Sequence, residues 1–198
     1  MRVVETKVYT YAELSPKAQE RARDWYISLS DSSDLDIVAD EWKRDVLPAL
    51  GFSAVEALWS GFASQGDGAY FAGTWRARDC NPAAMLADRP TDETLHSLAE
   101  RLLRIACAHR DMFASLRHTG RYYHEYSVSY DVETETPIES DQEYIALETE
   151  FIEVCRALMC HLYLRLDDMN DAIREDDYVA ECLSGGCYEF TEEGEHYA

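Results

Sequence analysis

The chain has 198 residues, with 39 Asp and Glu against 18 Lys and Arg and a formal charge of −21. A hydrophobic content of 46% with 12% aromatics supplies a real core and is not a disordered composition. The charge argues against direct phosphate-backbone binding, which needs Lys and Arg to release counterions. No apolar run reaches the ~18–20 residues of a bilayer span.

In chain order, Val3 to Tyr9 predicts a first strand, then Ser15-Pro16 caps a helix reaching about Ser30, with Ala18, Ala22, Trp25 and Leu29 on one face. Asp34 or Asp36 caps a second helix carrying Val38, Trp42 and Val46, stopped by Pro48 and Gly51. Phe52 to Trp59 and Tyr70 to Arg78 read as strands of a hairpin joined by a glycine-rich turn. Thr91 is expected to cap a long helix with a seam at Leu95, Leu98, Leu102, Ile105, His109, Met112 and Leu116, ended by Gly120. Tyr122 to Val132 predicts another strand. Ser140 or Asp141 begins the longest helical stretch, with a seam at Ile152, Cys155, Met159, Leu162, Leu166, Met169 and Ile173. It reads as one helix to about Cys182 or as two meeting near Asp167-Asp168, and Cys187 to Phe190 as a last short strand.

The expected fold class is therefore α+β, in one domain over 1–198. It comprises a mostly antiparallel sheet of four or five strands with two long helices and two shorter N-terminal helices packed on it. Residues 1–130 form the mixed part and 131–198 an acidic, mainly helical part. The start, Met1-Arg2-Val3-Val4-Glu5-Thr6-Lys7, carries acidic and polar residues where a signal peptide is apolar, so a cytoplasmic location is expected.

Of the six cysteines none forms a C-x-x-C pair, and Cys107 and Cys155 fall in apolar helical stripes, as small hydrophobes do. Cys182 and Cys187 with His161 or His196 are the one alternative for a metal, and no histidine ligand spacing occurs. No nucleophile elbow, phosphate loop or dinucleotide fingerprint is present, so no catalytic residue, metal or cofactor is assigned.

Charge is distributed unevenly. From Asp131 to Ala198 there are 20 acids against Arg156, Arg165 and Arg174, while the first 130 residues are nearly balanced. This pattern implies either solubility or a partner selected by field, a basic nucleic-acid-binding protein rather than nucleic acid or a membrane. Asp167, Asp168, Asp171, Glu175, Asp176 and Asp177 are the expected partner-binding residues. The 13 acids over Glu139 to Glu181 would lie along about 65 Å of helix, sparser than the charge on a duplex. They form two clusters flanking an apolar middle, which suits a protein bridging separated basic patches.

A second candidate is a ligand site built from Ser64, Gln65 and Asp67 of the hairpin turn and Tyr122, His124 and Glu125 downstream. Glycines 66 and 68 let backbone N–H groups approach a ligand, although the same residues make an ordinary turn. On a strand His124 and Glu125 face opposite sides, so an acid–base couple would require His124 to meet Asp67. A third reading is an interaction protein using Trp25, Trp42, Trp59 and Trp75 as apolar anchors. The long seam, widened by Tyr144, Phe151, Leu158 and Leu164, also predicts a two-fold homodimer strengthened by salt.

Val8-Tyr9-Thr10-Tyr11-Ala12-Glu13-Leu14-Ser15-Pro16-Lys17-Ala18, Ser60-Gly61-Phe62-Ala63-Ser64-Gln65-Gly66-Asp67-Gly68-Ala69 and Gly120-Arg121-Tyr122-Tyr123-His124-Glu125 occur in order over the first 130 residues. In these three motifs the chain resembles a family of small phage and prophage proteins with an antitoxin-like label. The resemblance implies a mobile-element origin and transfers no catalytic residue. By analogy with anti-CRISPR and anti-restriction proteins, the expected function is inhibition of a host nucleic-acid-binding defence complex by occlusion. An antitoxin-like interaction protein is the alternative.

Overall fold

A computed structural model describes residues 6–29 and 33–197. In chain order these form a 3-10 turn (Tyr11–Glu13), α1 (Pro16–Leu29), and α2 (Ser33–Glu41), which runs through a π turn (Trp42–Val46) into α3 (Leu47–Ala49). Then come β1 (Phe52–Ser60), β2 (Gly68–Arg76), α4 (Ala83–Ala87), α5 (Glu93–Ala108), β3 (Phe113–His118) and β4 (Val128–Glu133). Helices α6 (Asp141–Ala172) and α7 (Asp176–Gly185) complete the α+β fold. The chain divides into two compact units, one of residues 37–167 and one in which residues up to 36 join 168 onward.

The larger unit holds one four-stranded antiparallel sheet in the order β1-β2-β3-β4. Phe52, Trp75, Ala114 and Val132 are register partners across all four strands, and each is buried. Residues directly opposite share a face, so this row marks the covered side. The next row, Ser53, Thr74, Ser115 and Asp131, is polar and marks the open side. Trp75 is fully buried, its ring centroid 4.8 Å from that of Phe151 on α6, and its indole Nε1–H donates to Leu50 O at 2.8 Å. Gly51 makes that approach feasible: its φ is +95°, and a Cβ there would lie 3.1 Å from Trp75 Nε1.

Helix α6 starts where Ser140 Oγ accepts from the Glu143 N–H at 3.2 Å. Within the larger unit Phe151, Val154, Cys155, Leu158, Met159, Leu162 and Leu166, spaced by three and four, are at most 1% exposed. Each large apolar side chain so buried contributes roughly 1.5–3 kcal/mol. Of the residues expected to widen the seam, Phe151 and Leu158 are buried within the chain and the Tyr144 hydroxyl donates to Val132 O at 2.6 Å. Ile145 and Leu164 stay exposed.

Asp92 ties α5 to α6. Its Oδ1 accepts from the Leu95 N–H at 2.9 Å as the cap of α5, and its Oδ2 lies 2.9 Å from His161 Nε2. His161 is buried, with its ring 5.8 Å from that of Trp42 in the π turn. Arg101 of α5 holds Glu150 of α6 through two hydrogen bonds of 2.9 and 3.1 Å.

In the smaller unit α1 and α7 pack through Ala18, Ala22, Val179 and Leu183, with Tyr11, Leu14 and Phe190 closing the cluster. Phe190 bridges Tyr9 and His196. Gly194, at φ +83°, sits against the Ala18 carbonyl, which leaves no room for a Cβ. The expected first strand begins outside the described residues, and both terminal strands reduce to these isolated bridges.

Several expected elements differ. The long helix stops at Ala108 with His109 as its C-cap, and Met112 and Leu116 belong to the turn and strand that follow. His109 therefore lies off the helical seam, half-buried, and Cys107 is exposed. The spacing of Met112, Ala114 and Leu116 fits a strand as well as a helix, and pairing with β2 and β4 decides between them. Asp92, not Thr91, provides the cap. Tyr122 to Ser127 is a loop and the strand starts at Val128, so the argument from strand alternation for His124 and Glu125 does not apply. Neither Asp34 nor Asp36 caps α2, because the helix already includes both. The last helical stretch is two helices, interrupted between Ala172 and Asp176.

Burial by itself raises the Asp92 carboxyl, but the Leu95 N–H and the His161 contact outweigh it and hold the group below the usual carboxylate range. Its contribution to stability is complete above the unfolded value near 4 and is lost as pH falls through the lower folded value. Asp92→Asn keeps a capping side chain but not the charge. Urea titrations should show the acid-side loss of stability shallower in this variant than in the wild type; identical slopes would contradict the assignment.

Candidate functional site

The six expected partner-binding acids occupy the end of α6 and the start of α7. Asp167 closes the larger unit and is half-buried, and the other five are exposed in the smaller unit. Glu175 is the N-cap of α7, and Asp176 and Asp177 lie in its first turn, where negative charge complements the helix dipole. Asp176 is ion-paired with Arg23. Among the described residues no cation lies within 4.0 Å of Asp167, Asp171, Glu175 or Asp177. Two acids of the earlier cluster differ. Glu150 is held below the usual carboxylate range chiefly by its hydrogen bond to Arg101, and Glu153 lies 3.8 Å from the same guanidinium.

The second candidate forms within the larger unit, between the β1–β2 turn and the loop leading to β4. A Cβ on Gly66 (φ +95°) would sit 2.7 Å from Tyr122 Cδ1, and one on Gly68 2.6 Å from His124 Cβ. The turn and the tyrosine loop are thus brought together. Their polar groups, however, serve the loops themselves. Asp67 Oδ2 accepts from the backbone N–H groups of Ala63 at 3.1 Å and Ser64 at 2.7 Å, and His124 Nδ1 accepts from the Tyr126 N–H at 3.1 Å. Gly61 makes room for that carboxylate, since a Cβ there would be 2.7 Å from Asp67 Oδ2.

An acceptor Nδ1 places the His124 proton on Nε2, and no hydrogen bond joins Asp67 to His124 among the described residues. Geometry therefore does not assemble the acid–base couple. Ser64 and Gln65 are exposed, and Glu125 is half-buried. No group of three or more His, Cys, Asp and Glu among the described residues could hold a metal.

The surface of this region is aromatic. Tyr122, Tyr123 and Tyr126 are 52%, 36% and 67% exposed. Tyr70 is buried beneath them, its ring stacked on His118 at 4.2 Å and its hydroxyl donating to Glu56 at 3.3 Å. Burial first, and then the Glu56 charge, push its phenol up to about 12. Arg156 of α6 sits over the Tyr126 ring at 4.9 Å. Phe62 stacks between Trp59 and Tyr163, each at 5.5 Å, and the Tyr163 hydroxyl donates to Gly61 O, anchoring the turn to α6. Sequence reasoning missed Tyr163 and Arg156 because both come from α6, far along the chain, and Tyr70 because its stacking on His118 joins β2 to β3; only the glycines hinted at close packing. Trp42 and Trp75, expected as interface anchors, are buried.

One family, described as a domain of unknown function (DUF8835), matches residues 35–176, which includes the whole larger unit. No curated protein and no solved structure matches the chain.

Gly66→Ala tests the convergence. A left-handed backbone costs a non-glycine residue about 1 kcal/mol, and the added methyl displaces the Tyr122 ring. Nuclear magnetic resonance should show chemical-shift changes at Tyr122 and His124 together with a modest loss of stability. Unchanged Tyr122 and His124 signals would contradict the packing.

Proposed function

The chain belongs to the DUF8835 family, and from that premise we propose that it is an acidic binding protein that occludes a basic, nucleic-acid-binding surface on another protein. The observation that carries this reading is the imbalance at the α6–α7 junction. Among the described residues no cation lies within 4.0 Å of Asp167, Asp171, Glu175 or Asp177, whereas Glu150 and Glu153 face Arg101. Carboxylates left unneutralised on a surface focus a field that steers oppositely charged partners. The resemblance of three motifs in the first 130 residues to phage proteins supports a partner among bacterial defence complexes, with the host cytoplasm as the proposed location. Among the described residues no helix is long and apolar enough to cross a membrane.

A second reading rests on the convergence of the turn with the tyrosine loop. Tyr122, Tyr123 and Tyr126 would then form a contact for a ligand or an antitoxin-like partner, with apolar area rather than charge supplying affinity.

The two readings separate on one set of baits. The full chain carrying Asp167→Lys, Asp171→Lys, Glu175→Lys and Asp177→Lys should lose a nucleic-acid-binding protein that the wild type captures from bacterial lysate. Duplex DNA should displace that protein from the wild type. Because lysines at Glu175 and Asp177 oppose the α7 dipole, a companion variant with Asn and Gln at the same four positions should retain the fold and show intermediate loss. Undiminished capture by both variants, with loss in Tyr126→Ala, would reject the acidic reading in favour of the second.

A further inference from the structure

The open face of the sheet ends in a cleft of about 490 Å3 at the C-terminal end of β2. Arg76, Arg78, Arg110, Glu133 and Glu135 line it, and Phe113 lies between Arg76 and Glu133. The order follows from strand register, since Arg76 pairs with Phe113 and Phe113 with Glu133. Two interstrand spacings put the backbones of the positive and negative ends about 10 Å apart.

Unneutralised guanidinium groups are unexpected in a chain with 39 acids. Yet among the described residues no carboxylate lies within 4.0 Å of Arg76 or Arg110. Arg78 has only its exposed neighbour Asp79, at 3.9 Å. The Arg76 guanidinium is placed over the Phe113 ring, 5.7 Å from its centroid, which fixes its plane without using its hydrogen-bond donors. Asp111, which also lines the cleft, is engaged elsewhere: its Oδ2 accepts from the Thr136 N–H at 2.5 Å, bracing the rim.

We propose that this cleft binds a small phosphomonoester whose body carries hydroxyl or amino groups. Guanidinium forks match phosphate oxygens bidentately, and the volume falls within the range of small-molecule sites. Glu133 and Glu135 would repel a bare dianion, but they accept hydrogen bonds from hydroxyl or amino groups on the body of the same ligand. Sugar phosphates and nucleoside monophosphates have that layout, whereas inorganic phosphate satisfies the arginines alone. The site lies wholly within the larger unit and does not depend on the acidic-surface reading.

Calorimetric titration of the full chain with ribose 5-phosphate, adenosine monophosphate and inorganic phosphate tests the proposal. At least one organic phosphate should bind with a Kd below about 1 mM, at least tenfold tighter than inorganic phosphate. Preference for the nucleotide would assign the base to Phe113, and preference for the sugar phosphate would assign the hydroxyls to the glutamates. Arg76→Gln and Arg110→Gln, both exposed and so compatible with folding, should each weaken that binding about tenfold, the loss of one charge-assisted pair. Glu133→Gln should weaken the organic ligand but not inorganic phosphate. No binding of either organic phosphate, equal affinity for inorganic phosphate, or binding unaffected by both arginine variants would overturn it.

Discussion

Burial of Trp75 is the constraint on which the larger unit depends. Its register row sets the covered face of all four strands, its ring receives Phe151 of α6, and its indole N–H satisfies the Leu50 carbonyl where α3 turns into β1. A buried indole needs both an apolar bed and an acceptor, and here three different elements supply them. Gly51 and the π turn before it are the backbone adjustments that bring Leu50 to that position. The long seam of α6 then covers the row, leaving the other sheet face polar and open.

That division of faces organises the electrostatics. On the covered side α5 and α6 meet, and Arg101 draws Glu150 and Glu153 into ion pairs, so these two acids serve the fold. Beyond the buried seam the acids have fewer internal cations. Asp176 meets Arg23, while the dipole of α7 stabilises the acids at its start. The same residues can therefore support a helix end and present charge, at little cost to stability. Arg76, Arg78 and Arg110 collect at one end of the open face, against the sign of the whole chain.

The sequence made the elements legible where one periodicity was unopposed. The hairpin of β1 and β2, the Ser15 and Ser140 caps and the α6 seam all follow from local rules, and so does the α+β class. Reading failed where two periods overlapped. Met112, Ala114 and Leu116 fit both a helix and a strand, and only the neighbouring β2 and β4 resolve the choice. The tyrosines from Tyr122 onward read as a strand because aromatic residues favour sheets, yet they pack against Gly66 and Gly68 as a loop. The glycines marked the close approach but not what approached. Nothing local announced the arginine cleft, because Arg76, Arg110 and Glu133 come together only through cross-strand register.

On the proposed function, electrostatic attraction selects the partner and apolar packing is reserved for the fold. Attraction between exposed charges fades over about 8 Å at physiological salt, so it acts chiefly on encounter. The most direct test is the association rate of the wild-type chain with its captured partner, measured by stopped flow across ionic strength. The account predicts a rate that falls by an order of magnitude or more between about 50 and 500 mM salt. A rate independent of salt would contradict it.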